Sequence, residues 1–486
     1  MHNRTTIELI QDLCGKLETA KIPYCHWKSN AMLDRSASGA NDLDLLVSRT
    51  DSQRFTTLLY ELGFRKGLAV PELRTPGIEH FYGYDAATGD LVHVHAHYQL
   101  IVGSDLLKHH RLRAERQFLQ SAVQEGVFRV PVVELEFIVF VIRMVLKRPI
   151  IYPGVRSRLS SSAREEYEYL LSHSDPEQVT LILHNDFPYL DLNLFNACVR
   201  SLERTASPWE RAVTAWQLRH AMRAVRCRGG VEAFVLRIYH RVALPLRSRV
   251  FKLSSKKRLI NGGLLIAVVG GDGAGKSTAV SGLYGWLART FDVEAVHMGK
   301  PRRSALTFVV DNIMRANHLI ERMVRGAKKP DYWDRPAASG HLSLLDAVRC
   351  VCTARDRFRA YTRMQRFTSN GGIVICDRYP IPQIRRMDAR RLEHRESEQS
   401  SLYRSLVNLE QEYYDQILPP DLLIVLRVSP DVAVRRKTEE SASSVRMRSQ
   451  EVWNLDWEQT GAHVVDASSP QTEVLANLKS LIWSCL

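Results

Sequence analysis

Leu264–Thr278 reads LLIAVVGGDGAGKST, and this stretch decides the fold of the C-terminal half of the chain. Its first six residues form a short apolar run that is typical of a central parallel strand. The residues that follow match GxxxxGK[ST], and the helical segment SGLYGWLART comes next at 281–290. Glycines let successive backbone N–H groups face a phosphate, and the start of a helix adds positive potential. The pattern predicts a phosphate-binding loop. A glycine-rich turn arising by chance is the alternative, which the flanking strand and helix disfavour.

The predicted loop supplies the residues expected to bind a nucleoside triphosphate. Lys276 is expected to bridge the β- and γ-phosphates, and Ser277 to hold Mg²⁺. The full set is Gly270, Asp272, Gly273, Ala274, Gly275, Lys276, Ser277 and Thr278.

A second motif, GGIVICDRYP at 371–380, places an acid and a base directly after another buried strand. In doubly wound α/β sheets, ligands bind at the carboxyl ends of the strands. We therefore expect Asp377 to act on Mg²⁺ through water and Arg378 to contact a phosphate.

Two further segments extend the α/β pattern. PDLLIVLRV at 420–428 predicts a buried strand, which is followed by a helix N-cap at Ser429 and by the cationic run Arg435-Arg436-Lys437. HVVDAS at 463–468 predicts a last short strand and turn. The C-terminal half is thus predicted to be a P-loop NTPase domain, a parallel sheet with helices on both faces.

Taken together, GGDGAGKST, VICDRYP, PPDLLIVLRVSPDVAVRRK and HVVDASSP resemble the thymidylate kinase branch of the P-loop nucleoside monophosphate kinases. The resemblance covers nearly half of the chain and implies a kinase that uses ATP and Mg²⁺. It assigns Asp377 and Arg378 to metal and substrate phosphate, with Tyr379 completing the substrate-binding motif. It also implies a mobile lid whose basic residues stabilise the transferred phosphoryl group. The lid candidates are Arg435, Arg436, Arg446 and Arg448, and a solvated surface charge is the alternative for each of them.

Departures from that family concern the acceptor. The arginine that usually holds the acceptor phosphate could be Arg355 or Arg357, which lie 22 and 20 residues before Asp377. The family's acidic-Pro-Gly-Gly segment is missing, and the chain instead reads MGKPRR at 298–303 and continues through an insertion with AKKPDYWDRPAASGH at 327–341. We therefore expect a phosphorylated acceptor other than dTMP.

The N-terminal part carries a different motif, NDLDLLV at 41–47. Asp42 and Asp44 point to the same side of a strand, where paired carboxylates can bind the metal ions that clamp a triphosphate. With Ser29 in the turn Lys28-Ser29-Asn30, the segment resembles polymerase-beta-like nucleotidyltransferases. The turn lacks that family's glycine, and only Asp90 could stand for the expected third carboxylate, although a turn position suits it better.

The segment DLVHVHAH at 90–97 places three histidines on one face of a strand. His93, His95 and His97 could bind a transition metal or contact phosphate. A polar, exposed sheet face is the alternative.

Composition limits the class of protein. With 486 residues, 45% of them hydrophobic, the chain predicts two or three globular domains. The start lacks the apolar core of a signal peptide, and the longest apolar run, at 137–146, is broken by Arg143 and is too short to cross a bilayer. The eight cysteines show no CxxC or Cys/His metal spacing. We therefore expect a cytoplasmic protein with reduced thiols.

The net charge of +14 is concentrated, because residues 219–258 hold twelve Lys/Arg and one acid, Glu232. Within this window, 231–251 predicts a basic amphipathic helix that Pro245 should kink or end. Such a segment favours an anionic membrane surface or nucleic acid as partner, and a solvated basic face is the alternative. Peripheral association with a membrane and a homodimer are left open.

These patterns predict three regions: a nucleotidyltransferase-like α+β domain at 1–145, a basic helical middle region at 146–258 and a thymidylate kinase-like domain at 262–486. The leading hypothesis is an ATP- and Mg²⁺-dependent phosphotransferase that acts on a nucleotide or another phosphorylated small molecule, fused to the N-terminal domain. The alternative is an ATP-binding regulatory protein whose basic segment binds membrane or nucleic acid.

Overall fold

The structure is a computed structural model that describes residues 6–104, 107–147, 159–250, 254–325, 343–384, 388–393, 400–438 and 440–486. The predicted insertion at 327–341 lies outside these residues. The chain divides into two compact units, Met1–Lys257 and Arg258–Leu486. The expected mixed α/β chain with a parallel sheet and many helices is confirmed. The division into three domains stays a prediction.

The first unit begins with α+β structure and continues with helices. Its elements are α1 (Glu8–Thr19), β1 (Tyr24–His26), α2 (Leu33–Ala37), β2 (Leu43–Val47), α3 (Ser52–Glu61), β3 (Arg65–Leu68), β4 (Ile78–Asp85), β5 (Asp90–His97), β6 (Leu100–Ser104), β7 (Leu107–Leu112), α4 (Glu115–Gln120), β8 (Val123–Glu125), β9 (Phe128–Val130), α5 (Val133–Leu146), α6 (Ser161–His173), α7 (Pro176–Asp186), α8 (Leu192–Leu202), α9 (Pro208–Ala221) and α10 (Gly230–Pro245), which a π-helical turn, Leu246–Val250, continues. Short 3₁₀ turns lie at Asn30–Met32, Arg49–Asp51, Pro71–Leu73 and Met222–Val225.

The strands of the first unit that carry the predicted Asp-x-Asp pair and the histidines lie side by side in the order β1, β2, β5, β4, β3. Strands β2 and β5 run parallel, with Asp44 opposite His95, whereas β4 runs antiparallel to β5. Alternate side chains of β2 and β5 pack into a core with α1 and α3. The remaining side chains of β5 form a polar face.

Helix α5 organises the second core of this unit. Its sequence, VELEFIVFVIRMVL, is apolar on nearly all sides, which is typical of a buried helix. It packs against α6, α7, α8 and α9 in one continuous cluster. The apolar run that was too short for a membrane span is therefore core. Among the described residues, no helix combines the length and apolarity needed to cross a bilayer.

The second unit alternates strands and helices. Its elements are β10 (Arg258–Leu259), β11 (Leu264–Gly270), α11 (Lys276–Leu287), β12 (Val293–His297), α12 (Ala305–Arg325), α13 (Leu344–Ser369), β13 (Ile373–Asp377), α14 (Ser401–Asp415), β14 (Leu422–Arg427), α15 (Pro430–Arg436), α16 (Ala442–Asn454), β15 (His463–Asp466) and α17 (Gln471–Cys485), with a 3₁₀ turn at Glu458–Thr460.

Five of these strands form a parallel sheet in the order β12, β13, β11, β14, β15. Strand β11 is buried along its whole length, as its apolar sequence predicts. The strand order reverses at β11, and the carboxyl ends of β11 and β13 lie side by side there, with Val268 opposite Asp377. This is the position at which parallel sheets bind ligands. The predicted N-cap is confirmed, since Ser429 Oγ accepts a hydrogen bond from the Val432 N–H at the start of α15.

Candidate functional site

The loop between β11 and α11 has the shape that its glycines predict. Gly273 and Gly275 have φ values of +77° and +84°, a region in which L side chains are strained. A Cβ on Gly273 would also lie 2.7 Å from the Ala433 carbonyl oxygen. The loop ends at Lys276, the first residue of α11. The positive end of this helix therefore faces the space that the loop encloses.

Lys276 lies inside the loop that precedes it. Its Nζ donates to the carbonyl oxygens of Gly270 at 3.0 Å and Gly271 at 2.8 Å. Burial, together with the positive charge of Arg378, lowers the pKa of Lys276 to about 8. The ammonium is thus held at the loop by two carbonyl oxygens, and the Asp272 Oδ1 forms a longer ion pair with it at 3.9 Å.

Ser277, at the start of α11, meets Asp377, at the carboxyl end of β13. Ser277 Oγ donates to Asp377 Oδ2 at 2.8 Å, although 100 residues separate them in the chain. Asp377 Oδ1 is buried and has no hydrogen-bond partner among the described residues. A hydroxyl beside a carboxylate with one unused oxygen is a donor set that suits Mg²⁺. Both residues line the cavity at the loop.

Asp272 is the centre of the charge in this cavity. Its side chain is only 3% exposed, and Arg448 Nε lies 2.8 Å from Oδ2. Arg378 Nη2 lies 3.4 Å from Oδ1, and Lys437 Nζ and Lys276 Nζ lie about 4 Å from it. One carboxylate is therefore surrounded by four cations. Two further carboxylates share these cations, because Lys437 and Arg448 also pair with Glu440 and Arg378 Nη1 lies 3.9 Å from Asp388 Oδ2. The loop N–H groups and the positive end of α11 therefore favour an anionic ligand in the cavity more than the charge count does.

The cavity has a volume of ≈ 580 Å³, within the range of small-molecule sites. Of the predicted loop residues, all but Gly270 line it, together with Asp377, Arg378 and Arg436. Arg378 has a φ of +67°, an uncommon value for a residue with a side chain. Its strained backbone directs the guanidinium toward Asp272 beside the loop.

The predicted lid arginines separate into different roles. Arg448 reaches the buried Asp272 and also pairs with Glu440. Arg436 lines the cavity, and its guanidinium donates to the carbonyl oxygens of Ala467 and Ser468. Arg446 forms an exposed ion pair with Asp431 at 2.8 Å. Arg435 is exposed and does not line the cavity.

The residues predicted to hold the acceptor do not line this cavity. Arg357 is buried and donates to the carbonyl oxygens of Met298 and Gly299, to Asp388 and to the Tyr414 hydroxyl. These contacts fasten α13 to the chain that follows β12 and β13. Arg355, two residues earlier, is half-buried.

Tyr379 is also buried away from the cavity. Its side chain is in the core cluster of the sheet, and its hydroxyl donates to the Leu418 carbonyl oxygen at 2.6 Å. In this conformation, the donors of Tyr379 and Arg357 are both engaged by the protein. Their assignment to the acceptor remains a prediction from the family resemblance.

In the first unit, Asp44 is the centre of the polar cluster on β2 and β5. Its Oδ1 lies 2.8 Å from Lys28 Nζ, 3.0 Å from His95 Nδ1 and 3.3 Å from His97 Nε2. Burial opposes ionisation, but the Lys28 ammonium and the imidazole hydrogen bonds hold the pKa of Asp44 well below its usual value. Burial also lowers the pKa of His95 and His97, so both imidazoles are neutral at pH 7.

Asp42 lies just before β2 and makes a separate contact. Its Oδ1 is 2.8 Å from His93 Nδ1, and its side chain is largely exposed. The two carboxylates of the predicted pair therefore have different histidine partners. Asp90 is exposed at the far end of β5, where it lies opposite Asp85 in the β4–β5 hairpin. It supplies no third carboxylate beside Asp44.

The turn predicted to approach a triphosphate is occupied by protein carboxylates. Ser29 has a left-handed backbone with φ of +63°, and its N–H donates to Glu166 Oε1 at 3.1 Å. The Asn30 N–H and side-chain amide donate to Glu136 at 3.0 and 2.7 Å. Burial raises the pKa of Glu136 to about 7 and raises that of Glu166.

Four residues with contacts in these clusters were not predicted from the sequence: Lys437, Glu136, Glu166 and Asp388. Lys437 belongs to the cationic run beside Arg436 but was not singled out as a site residue. Glu136 could have been noticed in the sequence, because it is an acid within the apolar sequence of α5 and is therefore expected to be buried with a partner. Glu166 and Asp388 lie in segments whose sequence shows no comparable signal, and only the fold brings them to their partners.

The chain is similar to two curated proteins over less than half of its length. No protein-family model matches the chain. Two curated relatives share the name "Uncharacterized ATP-binding protein YghR", one from Escherichia coli strain K12 and the other from Escherichia coli O6:H1 strain CFT073. Each is 24% identical to this chain over 231 residues, which cover 45% of this chain and 86% of the relative.

Proposed function

We propose that the second unit binds ATP and transfers its γ-phosphoryl group to a phosphorylated small molecule. The observation that carries the proposal is the contact of Ser277 with Asp377 beside Lys276, in a cavity that Asp272, Arg378 and Lys437 also line. The two curated relatives support the nucleotide, because their printed name states ATP binding. Their matched length is close to the size of the second unit.

Each part of the cavity has a role in such a transfer. The loop N–H groups and Lys276 bind the β- and γ-phosphates, and Ser277 and Asp377 hold Mg²⁺. When bound, Mg²⁺ neutralises charge on the phosphate oxygens. Arg378 and Arg448 stabilise the negative charge of the transferred group, which is the main catalytic contribution in phosphoryl transfer.

The reaction breaks the bond between the γ-phosphorus and the bridging oxygen of ATP. A phosphate oxygen of the acceptor forms the new bond, so that ADP leaves and the acceptor monophosphate becomes a diphosphate. Nucleotide monophosphates fit this chemistry, and so do other phosphorylated metabolites. The missing acidic-Pro-Gly-Gly segment favours an acceptor other than dTMP.

A second candidate function follows from Arg357 and Tyr379. Because Arg357 and the Tyr379 hydroxyl are engaged within the protein and Arg355 does not line the cavity, neither predicted position, 355 or 357, supplies the cavity with an acceptor arginine. This observation favours an ATP-binding regulatory protein, in which the nucleotide changes the conformation of the unit without transfer to a small molecule.

We propose no nucleotidyl transfer for the first unit. The N–H groups of Ser29 and Asn30 would have to bind the triphosphate, but they donate to Glu166 and Glu136. The third carboxylate is also missing beside Asp44 among the described residues. The resemblance to nucleotidyltransferases therefore extends to the placement of Asp44 on β2 and of Asp42 directly before it.

The test uses the purified full chain with ATP, Mg²⁺ and a panel of nucleoside and sugar monophosphates. The kinase proposal expects one acceptor to yield a diphosphate together with stoichiometric ADP. K276M should abolish the reaction, whereas K479M should retain it, since Lys479 lies over the Trp286 ring outside the cavity. ATP binding without acceptor-dependent ADP would support the regulatory protein and contradict the kinase.

A further inference from the structure

We propose that Asp44, His95 and His97 form a transition-metal site in the first unit. Asp44 Oδ1 lies 3.0 Å from His95 Nδ1 and 3.3 Å from His97 Nε2, and the three donor atoms all lie within 4.8 Å of one another. Ligand atoms bound tetrahedrally to Zn²⁺ at about 2.0–2.1 Å are about 3.3 Å apart. The three side chains therefore need only small shifts to share one ion.

The sheet places these ligands on rigid elements. Asp44 on β2 lies opposite His95 on the parallel strand β5, and His97 follows on the same face two residues later. The His95 ring stacks on His80 with centroids 4.6 Å apart, and the edge of Trp27 meets His97 at 5.0 Å. Packing against aromatic rings restricts the imidazoles to few orientations, as a preorganised site requires.

The donor set selects the kind of ion. Two imidazoles with one carboxylate suit zinc and the neighbouring transition metals, whereas Mg²⁺ and Ca²⁺ prefer oxygen ligands. Asp42, the second acid of the Asp-x-Asp motif, is engaged with His93 at 2.8 Å and is not part of the set. The site is thus distinct from the paired-carboxylate magnesium site that the motif alone predicts.

Lys28 is the competitor for this site. Its Nζ lies 2.8 Å from the same Asp44 Oδ1 that both histidines contact. An ammonium and a metal ion cannot both lie there, because two cations would repel each other at contact distance. The metal must therefore displace the Lys28 side chain, which is partly exposed and rests against the Trp27 ring.

The experiment strips purified full-length protein with a chelator and titrates it with Zn²⁺ against a chromophoric chelator. Bound metal is counted by mass spectrometry, and Co²⁺ substitution reports the ligands by its visible spectrum. The wild type should bind one equivalent. H95Q/H97Q should weaken binding by at least about tenfold. H173Q/H184Q is the matched control, since these two histidines are exposed on helices of the same unit.

K28M makes the test independent of folding, because it should tighten zinc binding, and a misfolded protein would not bind more tightly. Three results would overturn the proposal: a wild type that binds no stoichiometric zinc, an H95Q/H97Q variant that binds as well as the control, or a K28M variant whose affinity is unchanged. A preference for Mg²⁺ over Zn²⁺ would also overturn it.

A separate observation concerns α10. Apolar side chains that are between 42% and 78% exposed recur along the helix and the turn after it at spacings of three and four residues: Val231, Phe234, Val235, Ile238, Tyr239, Val242, Leu246 and Val250. The opposite side of the helix packs on the protein through the buried Ala233 and contacts with β7. An exposed apolar stripe of this length marks an interaction surface.

We infer that this stripe lies on an anionic membrane surface. Arg241 and Arg249 are exposed on the same segment, and residues 219–258 hold twelve Lys/Arg and one acid. Apolar side chains beside a dense positive charge are the features of a helix that lies in the plane of the interface. Anionic lipids complement both, whereas nucleic acid would leave the apolar stripe in water.

The test sediments full-length protein with vesicles of phosphatidylcholine, with and without phosphatidylglycerol. Binding should require phosphatidylglycerol and should be lost in F234S/I238S and weakened in R241Q/R249Q. L171S/L181S, which changes two exposed leucines on α6 and α7, is the matched control and should bind normally. Binding to an oligonucleotide but not to vesicles would contradict the inference. It would also be contradicted if the wild type bound no vesicles but formed a dimer that F234S/I238S dissociates.

Discussion

Replacing Asp272 by asparagine should destabilise the second unit in the absence of nucleotide. The substitution keeps the shape of the side chain but leaves Arg448, Arg378, Lys276 and Lys437 facing one another without their common carboxylate. Loss of one partner of a buried ion pair costs about 3–5 kcal/mol. Because the Arg448 and Arg378 side chains are 26% and 30% exposed, solvent screens part of this cost. We expect a loss of about 2–3 kcal/mol.

The assay is thermal unfolding with and without a non-hydrolysable ATP analogue. The loss corresponds to roughly 5–10 °C for a unit of this size. The analogue should stabilise D272N more than the wild type, because its triphosphate supplies the missing negative charge. D431N is the control: Asp431 pairs with Arg446 at the same 2.8 Å, but both side chains are more than half exposed. It should change stability by at most about 0.5 kcal/mol. The reasoning would be refuted if D272N had the same melting temperature as D431N, or if the analogue raised the melting temperature of D272N no more than that of the wild type.

Three further predictions follow from the two sites. ATP affinity should be constant below pH 8 and weaken above it, because Lys276 has a pKa of about 8 in the free protein and must be charged to bind phosphate. Titration calorimetry at several pH values should show this weakening, and K276M should lose the pH dependence. The pKa of Glu136, raised by burial to about 7, means that the folded state holds a proton that the unfolded state has released. Stability should therefore fall between pH 4.5 and 7, by up to about 3 kcal/mol in denaturant unfolding, and E136Q should flatten this dependence. S277A should raise the Mg²⁺ concentration needed for ATP turnover, whereas S281A, an exposed serine on the same helix, should leave it unchanged.

The sequence predicted the parts of the cavity that are local or that follow from a rule about sheets. The loop and Lys276 belong to one continuous motif whose glycines dictate its shape. The contact of Ser277 with Asp377 was predictable because Ser277 comes after β11 and Asp377 ends β13, two parallel strands whose carboxyl ends meet at one edge.

The sequence could not predict which cations meet at Asp272. Arg378, Lys437 and Arg448 come from three separate segments, and nothing in those segments shows that they share one carboxylate. It also could not decide between Arg355 and Arg357, because their spacing to Asp377 is nearly the same. Side-chain burial separates them, and burial depends on how α13 packs against its neighbours.

The polar face of β5 shows the same limit. Alternation along the strand placed His93, His95 and His97 on one face, as the pleat requires. The partner of each imidazole depends on the register of β5 against β2, for which the sequence has no local signal. In that register, His93 contacts Asp42, and His95 and His97 contact Asp44.

The surroundings of the two central aspartates predict opposite ligands. Four cations face Asp272 beside a loop whose N–H groups and following helix start are positive, so the ligand that suits this cavity is an anion. Around Asp44 the only full positive charge within contact is Lys28 among the described residues, and the neutral imidazoles offer lone pairs. A cation that replaces the ammonium completes that cluster. D272N should therefore retain nucleotide binding, since the ligand restores the lost charge, whereas D44N should abolish metal binding, since it removes the one anionic ligand. If the sign of the local charge determines the ligand at each site, D272N should leave metal binding unchanged and D44N should leave nucleotide binding unchanged.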